Sequence, residues 1–463
     1  MKCPQHNCLT SLLTLNYPGA SLVAEGRPHA RKREELRRDL IRRALRLFKS
    51  MIAAATVGAV LFVYPAVAAV KIVVMGHRVH QDTATTGSGG DVTTDWRKAN
   101  DADVEWITLG NDPLRERLFR EVSLGETAVN VGFVLNAWAT PKIAKLFTPL
   151  NDYLAKAPIA DFADISPSML KAMTFEGKIY AVPYRHATQG LHYNESFLKE
   201  RGIDHPPRTV EELINDAKRL TYVRPDRTNL SGLVLGAYTH QIALLRAMGG
   251  AFITPELKFG GPDKAIAAYY QTIRDLFTAG VLPKAMPTFD QNSPLEWMSQ
   301  GRTAMVIYPM ARNAQMNDPK LSKHAGQVKV TVVPAAAGSG LAVAPAIFEF
   351  WAAAIPANAK NKDLAWSFIR HLSAPDSTVR EALNGNGPVR ASAYKDPRLR
   401  QKLTYAEEEQ KAFFNGEAAI PAFDNTAKAA EIWKENFEAA MLGFMSPSDA
   451  AADLRRRVSA LLP

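Results

Sequence analysis

One segment, Gly177–Leu220, constrains the fold of this chain more than any other. Its two short apolar runs, IYAVPY and GLHYN, are typical of strands, and they flank a polar tetrad at residues 185–188. Thr209 and Glu212 then form a capping box, which indicates a helix start. The apolar residues that follow lie on one helical stripe: Val210, Leu213, Ile214, Ala217 and Leu220. This order of elements predicts two α/β lobes joined here, with a cleft at the junction.

The rest of the chain alternates between short apolar runs and helical segments. The run KIVVM at residues 71–75 predicts a buried first strand, and Pro113–Val122 predicts a helix with proline at its start. The polar run TATTGSGGD at residues 83–91 predicts a loop between them. Strands that alternate with helices indicate an α/β protein with parallel sheets.

The junction segment closely resembles the hinge of the extracellular solute-binding proteins of family 1, the maltose-binding-protein-like receptors of sugar ABC importers. The shared pattern is G-K-x-Y-x-x-P, then Y-N, then P-P-x-T-x-x-E-L. Further matches include GRTAMVIY, WAAAIPANAKNKDLAWSFIRHLSAP and GNGPVRASAYKDP, so that the resemblance covers nearly all of residues 70–463. It implies the α/β type II periplasmic-binding-protein fold, in which two discontinuous lobes are joined by hinge crossovers.

The resemblance also implies a division of the chain into lobes. We predict a first lobe from residues 70–184 plus about 310–350, and a second from residues 185–309 plus about 351–463. The crossings are expected near Tyr184–Thr188, near Phe348–Trp351 and in the last third of the chain.

Residues 1–69 are predicted to be a targeting segment. Of the total net charge of +10, they hold +7 (11 Lys and Arg against 4 Asp and Glu), which leaves +3 for the rest and no footprint for nucleic acid. A basic stretch precedes the apolar run Met51–Val63, and small residues follow, so we expect cleavage after Ala68 or Ala69 and a periplasmic protein. A twin-arginine signal, an uncleaved anchor and a start site placed too far upstream remain alternatives.

Signatures of catalysis and of metal binding are weak. The two cysteines, Cys3 and Cys8, lie in the segment predicted to be removed, so the mature chain would have neither a disulfide nor a thiolate metal site. H-E-x-x-H and G-x-S-x-G do not occur, and GSGGD lacks the Lys-Ser/Thr of a phosphate loop. We therefore expect a binding protein without cofactor or metal. The alternatives are a secreted glycosidase or lyase, and a receptor for a non-sugar solute such as a polyamine or iron.

Sugar binding requires polar side chains that satisfy hydroxyl groups and aromatic rings that pack on C–H faces. The resemblance implies such contacts at the ends of strands and at the crossings: His77, Arg78, His80, Asn136, Trp138, Tyr184, Arg185, His186, Tyr238, Tyr308, Arg312, Phe348, Trp351, Asn386 and Arg390. A structural role is the alternative for several of these residues, through packing (Trp138, Tyr184, Phe348, Trp351), a turn (Asn386) or an ion pair (Arg390). After AMVIY the usual glycine and aromatic are replaced by Pro309 and Met310, which puts the usual stacking platform in doubt.

The function that we expect from the sequence is therefore that of a monomeric periplasmic receptor. It would close its lobes over a sugar or polyol and deliver it to the membrane permease of an ABC importer. The several Arg and His candidates are also compatible with an acidic sugar.

Overall fold

The structure is a computed structural model that describes residues 70–463 except Gln291, Ala342 and Asn415. The predicted targeting segment and both cleavage positions lie outside these residues. The strands are β1 (Val70–His77), β2 (Ala102–Leu109), β3 (Val129–Leu135), β4 (Thr174–Phe175), β5 (Lys178–Ile179), β6 (Val182–Asn194), β7 (Tyr222–Val223), β8 (Asn229–Leu235), β9 (Thr303–Pro309), β10 (Val328–Thr331) and β11 (Phe348–Ala354).

The α-helices are interspersed with these strands along the chain. They are α1 (Arg78–Thr85), α2 (Thr93–Asn100), α3 (Asn111–Val122), α4 (Pro141–Ala144), α5 (Asn151–Lys156), α6 (Pro167–Ala172), α7 (Glu195–Glu200), α8 (Val210–Arg219), α9 (Tyr238–Ala247), α10 (Asp263–Thr278), α11 (Ser293–Ser299), α12 (Asn313–Met316), α13 (Lys362–Leu372), α14 (Pro375–Leu383), α15 (Pro397–Lys402), α16 (Ala406–Phe414), α17 (Thr426–Leu442) and α18 (Pro447–Ser459). Among the residues that the structure describes, none of these helices has the length and apolar character needed to span a membrane.

One long strand connects two α/β sheets. β1 lies between β2 and β3, parallel to both, and β11 joins β3 to the first half of β6 in antiparallel register. The second half of β6 pairs with β9 and β10, and β9 continues in parallel to β8. The thirteen residues of β6 therefore belong to two sheets in turn, which is how the predicted junction is built. The α/β fold class predicted from the sequence is confirmed.

Two separate hydrophobic cores form on either side of this junction, and the chain passes from one core to the other at three places. The first core contains residues from Ile72 to Tyr184, then from Phe348 to Phe413. The second core contains residues from Leu191 to Ile347, then from Ala419 to Val458. These boundaries differ from the predicted division, because residues 310–346 pack in the second lobe and most of residues 351–414 pack in the first. The sequence motifs located the crossings but did not reveal which core each returning segment joins.

The three crossing segments lie side by side. The backbone N–H of Gln189 donates to the carbonyl of Ile347 (2.9 Å), which ties the first crossing to the second. Phe348 donates to the carbonyl of Glu417 (3.0 Å), and Glu417 donates to that of Ala346 (2.9 Å), which adds the third crossing. A narrow bundle of three extended segments is a geometry in which small changes of backbone dihedral angles rotate one lobe relative to the other.

The predicted loop at residues 83–91 begins later than expected. Helix α1 already starts at Arg78 and includes Thr83, because two histidines cap its first turn. The Nδ1 atom of His77 accepts from the N–H of Val79 (3.2 Å), and that of His80 accepts from the N–H of His77 (3.0 Å). Histidine is not among the usual N-cap residues, so the sequence pattern did not indicate this helix.

Candidate functional site

A cavity of about 970 Å³ lies at the junction of the two lobes and is lined by residues from both. The first lobe contributes the carboxyl end of β1, at His77, and the face of β6 and β11 around Arg185. The second lobe contributes the start of α9 at Tyr238, the end of β9 at Tyr308, and helix α17. Its volume lies at the upper end of the range usual for ligand pockets.

The pleat of the hinge strands decides which side chains face this cavity. Arg185 is paired with Trp351 across the β6–β11 ladder, and Ala187 is paired with Glu349. Opposite residues in an antiparallel pair lie on the same face, and alternate residues along a strand share that face. The cavity is accordingly lined by Arg185, Ala187, Gln189, Glu349 and Trp351. Alternation also sends Tyr184 and His186 to the opposite side.

Polar atoms at this face lack partners within the described protein. The Nε atom of Arg185 and the Oε1 atom of Gln189 are both buried without a hydrogen bond. Burial lowers the pKa of Arg185 to about 10, although the nearby Glu349 opposes this change. Burial raises the pKa of Glu349, opposed in turn by Arg185. Since buried polar groups are normally hydrogen-bonded, these side chains are prepared for a polar ligand.

At the end of β1, His77 lines the cavity and His80 lies beneath it. The Nδ1 atom of His77 is used as an acceptor by the first turn of α1, so its neutral ring carries the proton on Nε2. The pKa of His77 is lowered by burial and then by the positive charges of Arg185 and Arg312. His77 is therefore a neutral donor at physiological pH.

The second lobe supplies two aromatic rings, a histidine and a cation. Tyr238 begins α9, and His240 lies on the first turn of that helix with its Nδ1 atom buried and unpartnered. The ring of His240 packs edge to face on Tyr308 at 5.2 Å, and burial lowers the pKa of His240 to about 3. Arg312 donates from Nη1 to Oε1 of Gln315 (3.1 Å). Tyr308 and Arg312, the two predicted contacts that flank the replaced glycine and aromatic, thus border the cavity.

Helix α17 closes one side of the cavity, although none of its residues was among the predicted ligand contacts. Ala430, Glu431 and Lys434 face inward, at the i, i+1 and i+4 positions of one helical face. Gln189 and Glu349 were missed as well. For these two, the available signal was the period-2 alternation of a strand that contains Arg185 or Trp351.

Six of the predicted contacts line the cavity, namely His77, Arg185, Tyr238, Tyr308, Arg312 and Trp351. Arg78 points away on the exposed side of α1, where it pairs with Asp82 (3.2 Å). Trp138 packs edge to face on Trp351 at 5.0 Å and supports that ring from behind. His80 packs on Phe133 at 4.3 Å and is fully buried. The prediction is corrected for three residues that do not border the cavity: Arg78, Trp138 and His80.

The other predicted hinge contacts are also structural. The Tyr184 hydroxyl donates to the carbonyl of His80 (3.4 Å) inside the first core. His186 is hydrogen-bonded through its two ring nitrogens to Thr188 (2.8 Å) and to Tyr394 (2.7 Å). Burial lowers its pKa to about 3, so the ring is neutral. Alternation along β6 is the reason that both side chains face the core rather than the cavity.

Four further candidates lie away from the cavity. Asn136 accepts from the backbone N–H of Phe350 (3.0 Å), and it lines, with Phe348, a second cavity of about 670 Å³. Asn386 donates to the carbonyl of Tyr184 (3.1 Å). Arg390 is completely buried and donates to the carbonyls of Ser373, Asp161 and Ala160 at 2.6–3.0 Å. The polar groups of Asn136, Asn386 and Arg390 hold backbone segments together, and Phe348 packs in the first core. A structural role therefore describes these residues.

Metal-ligating residues do not cluster in the described part of the chain. No group of three His, Cys, Asp or Glu residues there has the geometry to hold a metal ion. The cavity instead combines aromatic rings with directed hydrogen-bonding groups, which is the chemistry needed to bind a polar organic molecule.

Comparison with known proteins gives a family for this architecture. Residues 89–379 match the family model described as "Bacterial extracellular solute-binding protein". A probable ABC transporter-binding protein of Deinococcus radiodurans is 25% identical over 257 residues, which cover 53% of this chain and 60% of the relative. The mannitol-binding protein of Pseudomonas aeruginosa is 24% identical over 285 residues, which cover 58% of this chain and 61% of the relative. The chain thus spans about 60% of the length of these curated relatives.

A solved structure supports the fold. Maltose-bound MalE3 of T. maritima superposes with a TM-score of 0.71 over 85% of this chain and 100% of its own, at 22% identity. At that identity the likeness concerns the fold alone. The family match covers every described strand except β1, and two of the three crossings. This chain belongs to the family of bacterial extracellular solute-binding proteins.

Proposed function

We propose that the protein is a periplasmic receptor that binds a sugar or polyol between its lobes and delivers it to the permease of an ABC importer. The observation that carries this proposal is the cavity of about 970 Å³ between two separate cores, placed where three adjacent crossings permit rotation of the lobes. Its relatives include a protein named as mannitol-binding, and its family consists of solute-binding rather than catalytic proteins.

The cavity has the groups that a polyhydroxylated ligand requires. The unpartnered Arg185 Nε and His240 Nδ1 supply hydrogen-bonding sites on either lobe, and Gln189 Oε1 supplies an acceptor between them. The rings of Tyr238 and Trp351 offer apolar faces for the C–H groups of a sugar. Because both lobes contribute, a ligand that bridges them favours the closed arrangement by its additional contacts.

Transport in this proposal involves no bond making or breaking. The mature chain would begin near Val70 after cleavage at Ala68 or Ala69, and would act as a monomer. Closure of the lobes removes water from the ligand and brings surfaces of both lobes into the relation that a membrane permease recognises.

The test is a thermal-denaturation screen of the purified mature protein against sugars and polyols. A ligand at 100 times its Kd stabilises the folded state by about 2.7 kcal/mol, so binding raises the melting temperature in proportion to the logarithm of ligand concentration. Mass spectrometry of solute retained by protein from the native periplasm would identify the ligand independently.

Absence of any stabilisation across neutral and acidic carbohydrates, with a shift of the melting temperature by polyamines or iron, would contradict the sugar assignment. Product formed from oligosaccharides would indicate an enzyme instead.

A further inference from the structure

The two arginines that line the cavity, Arg185 and Arg312, have no carboxylate partner among the residues that the structure describes. Arg246 and Arg390, by contrast, each have a carboxylate oxygen within 4.0 Å, from Glu417 and Asp164. Among the described residues, no carboxylate lies at ion-pair distance from Arg185 or Arg312. Arg312 has one donor bound to Gln315, and Arg185 has a buried Nε without a partner. Protein groups therefore leave most of the donor capacity of both guanidinium groups unused.

The charges of these two arginines act on the same part of the cavity. Both lower the pKa of His77, after the larger effect of burial, and Arg312 also lowers the pKa of Arg185. Arg185 comes from the hinge strand β6, and Arg312 comes from the segment after β9 in the second lobe. A ligand group that contacts both would connect the two lobes.

Most other charged residues around the cavity are paired or hydrogen-bonded within their own segment. On α17, Glu431 pairs with Lys428 (2.7 Å) and Lys434 pairs with Glu438 (3.8 Å). Asp290 accepts from the backbone N–H groups of Asn292 and Ser293. Among the described residues, Glu349 is the carboxyl whose charge opposes the lowering of the pKa of Arg185. At the hinge side, the guanidinium groups of Arg185 and Arg312 share the cavity lining with the carboxyl of Glu349, and Asp290 adds a further negative charge to that lining.

We propose that the solute is a sugar acid, a uronate or aldonate whose carboxylate is bound between Arg185 and Arg312. This inference rests on the proposed function. The planar guanidinium matches a carboxylate in geometry and forms charge-assisted hydrogen bonds that are about twice as strong as neutral ones. A phosphate dianion would bring an additional negative charge close to Glu349, which disfavours a sugar phosphate.

The experiment compares matched acidic and neutral ligands by titration calorimetry on the wild-type protein. The pairs are D-galacturonate with D-galactose, D-glucuronate with D-glucose, and D-gluconate with D-glucitol, and glucose 6-phosphate and acetate are measured alongside. At least one acid should bind tenfold or more tightly than its neutral counterpart, since 1.4 kcal/mol corresponds to a factor of ten. The affinity for that acid should also fall as the salt concentration rises.

A pair of variants tests where the charge is recognised. Arg312→Gln should weaken binding of the acid about tenfold and bring its Kd close to that of the neutral sugar. Arg78→Gln is the matched control, because Arg78 is exposed on α1 outside the cavity and should leave the affinity within twofold. Far-ultraviolet circular-dichroism spectra and melting temperatures equal to those of the wild-type protein establish that both variants are folded.

The outcomes separate this inference from the proposed function. A neutral sugar that binds as tightly as its acid, or tighter binding of glucose 6-phosphate, overturns the sugar-acid proposal while the receptor function stands. Failure of every carbohydrate to bind, neutral and acidic alike, contradicts the receptor function itself. Retention of full acid affinity by Arg312→Gln also contradicts the proposed recognition.

Discussion

Replacing Arg185 by methionine should stabilise the ligand-free protein and weaken its binding of solute. Methionine keeps an unbranched chain of similar length but removes the buried charge and the unpartnered Nε. A polar group that is desolvated without a protein partner reduces stability, and binding sites commonly contain such groups.

The pKa of Arg185 gives the magnitude. Burial lowers the pKa of Arg185 in the folded protein to about 10, roughly two to three pH units below that of an ordinary arginine. Each pH unit between two pKa values corresponds to about 1.4 kcal/mol, so the buried charge destabilises the fold by about 3 kcal/mol. The pKa is lowered on folding, so this cost is fully present at pH 7 and would disappear only as the pH rises through 10 and above. Removing the charge also leaves Glu349 without its opposing charge, so the expected net gain is about 1–3 kcal/mol.

The loss of binding should be large by comparison. A hydrogen bond to a charged group contributes about 1.5–3 kcal/mol, which corresponds to an increase in Kd of roughly 10- to 150-fold. Urea denaturation of the ligand-free protein at pH 7 measures the first effect, and calorimetric titration with the retained solute measures the second. Arg78→Met is the control, because it removes a charge of the same kind from the exposed side of α1.

Two results would refute this reasoning. A fall of more than about 1 kcal/mol in the free energy of unfolding of the ligand-free variant would mean that protein or bound water satisfies Arg185. An unchanged Kd would mean that this side chain does not contact the solute.

Two further substitutions test buried groups outside the cavity. Burial raises the pKa of Glu409 to about 7, so between pH 5 and pH 8 the folded state must give up a proton that the unfolded state has already lost, and stability falls. Glu409→Gln should make this fall in the free energy of unfolding smaller by about 3 kcal/mol. Parallel pH profiles of the unfolding free energy for wild type and variant would contradict this. Arg390→Met should lower the unfolding free energy by about 2–4 kcal/mol, because it leaves three carbonyl groups without their donor. The Kd for solute should not change. Weaker binding by a stably folded variant would mean that Arg390 contributes to the binding site.

The hinge strand illustrates how far sequence reasoning reaches. Three consecutive residues, Tyr184, Arg185 and His186, were predicted to contact the ligand, although consecutive strand residues face opposite sides. Because of this alternation, the three side chains cannot all face the cavity. Either Arg185 faces it, or Tyr184 and His186 do. Only the pairing of Arg185 with Trp351 and of Ala187 with Glu349 shows which face borders the cavity.

The lobe boundaries and helix α17 illustrate what sequence patterns do not contain. Local periodicity identified β11 and α13 as a strand and a helix, yet it could not show that both pack in the first core. Glu431 and Lys434 lie more than 240 residues from Arg185 in the chain, on a helix whose pattern is that of any partly buried helix. Membership of a shared cavity is a long-range property, because it depends on how separate segments pack.

The sequence by itself determined the order of strands and helices, the position of the hinge and the class of fold, because these depend on local periodicity, capping and turn residues. The tertiary structure decided which lobe each returning segment joins, which face of the hinge strands meets solvent, and which arginines lack a partner. These depend on strand register and on contacts between distant segments. Such contacts distinguish a buried arginine that holds the backbone, such as Arg390, from one that lines the cavity with an unpartnered Nε, such as Arg185.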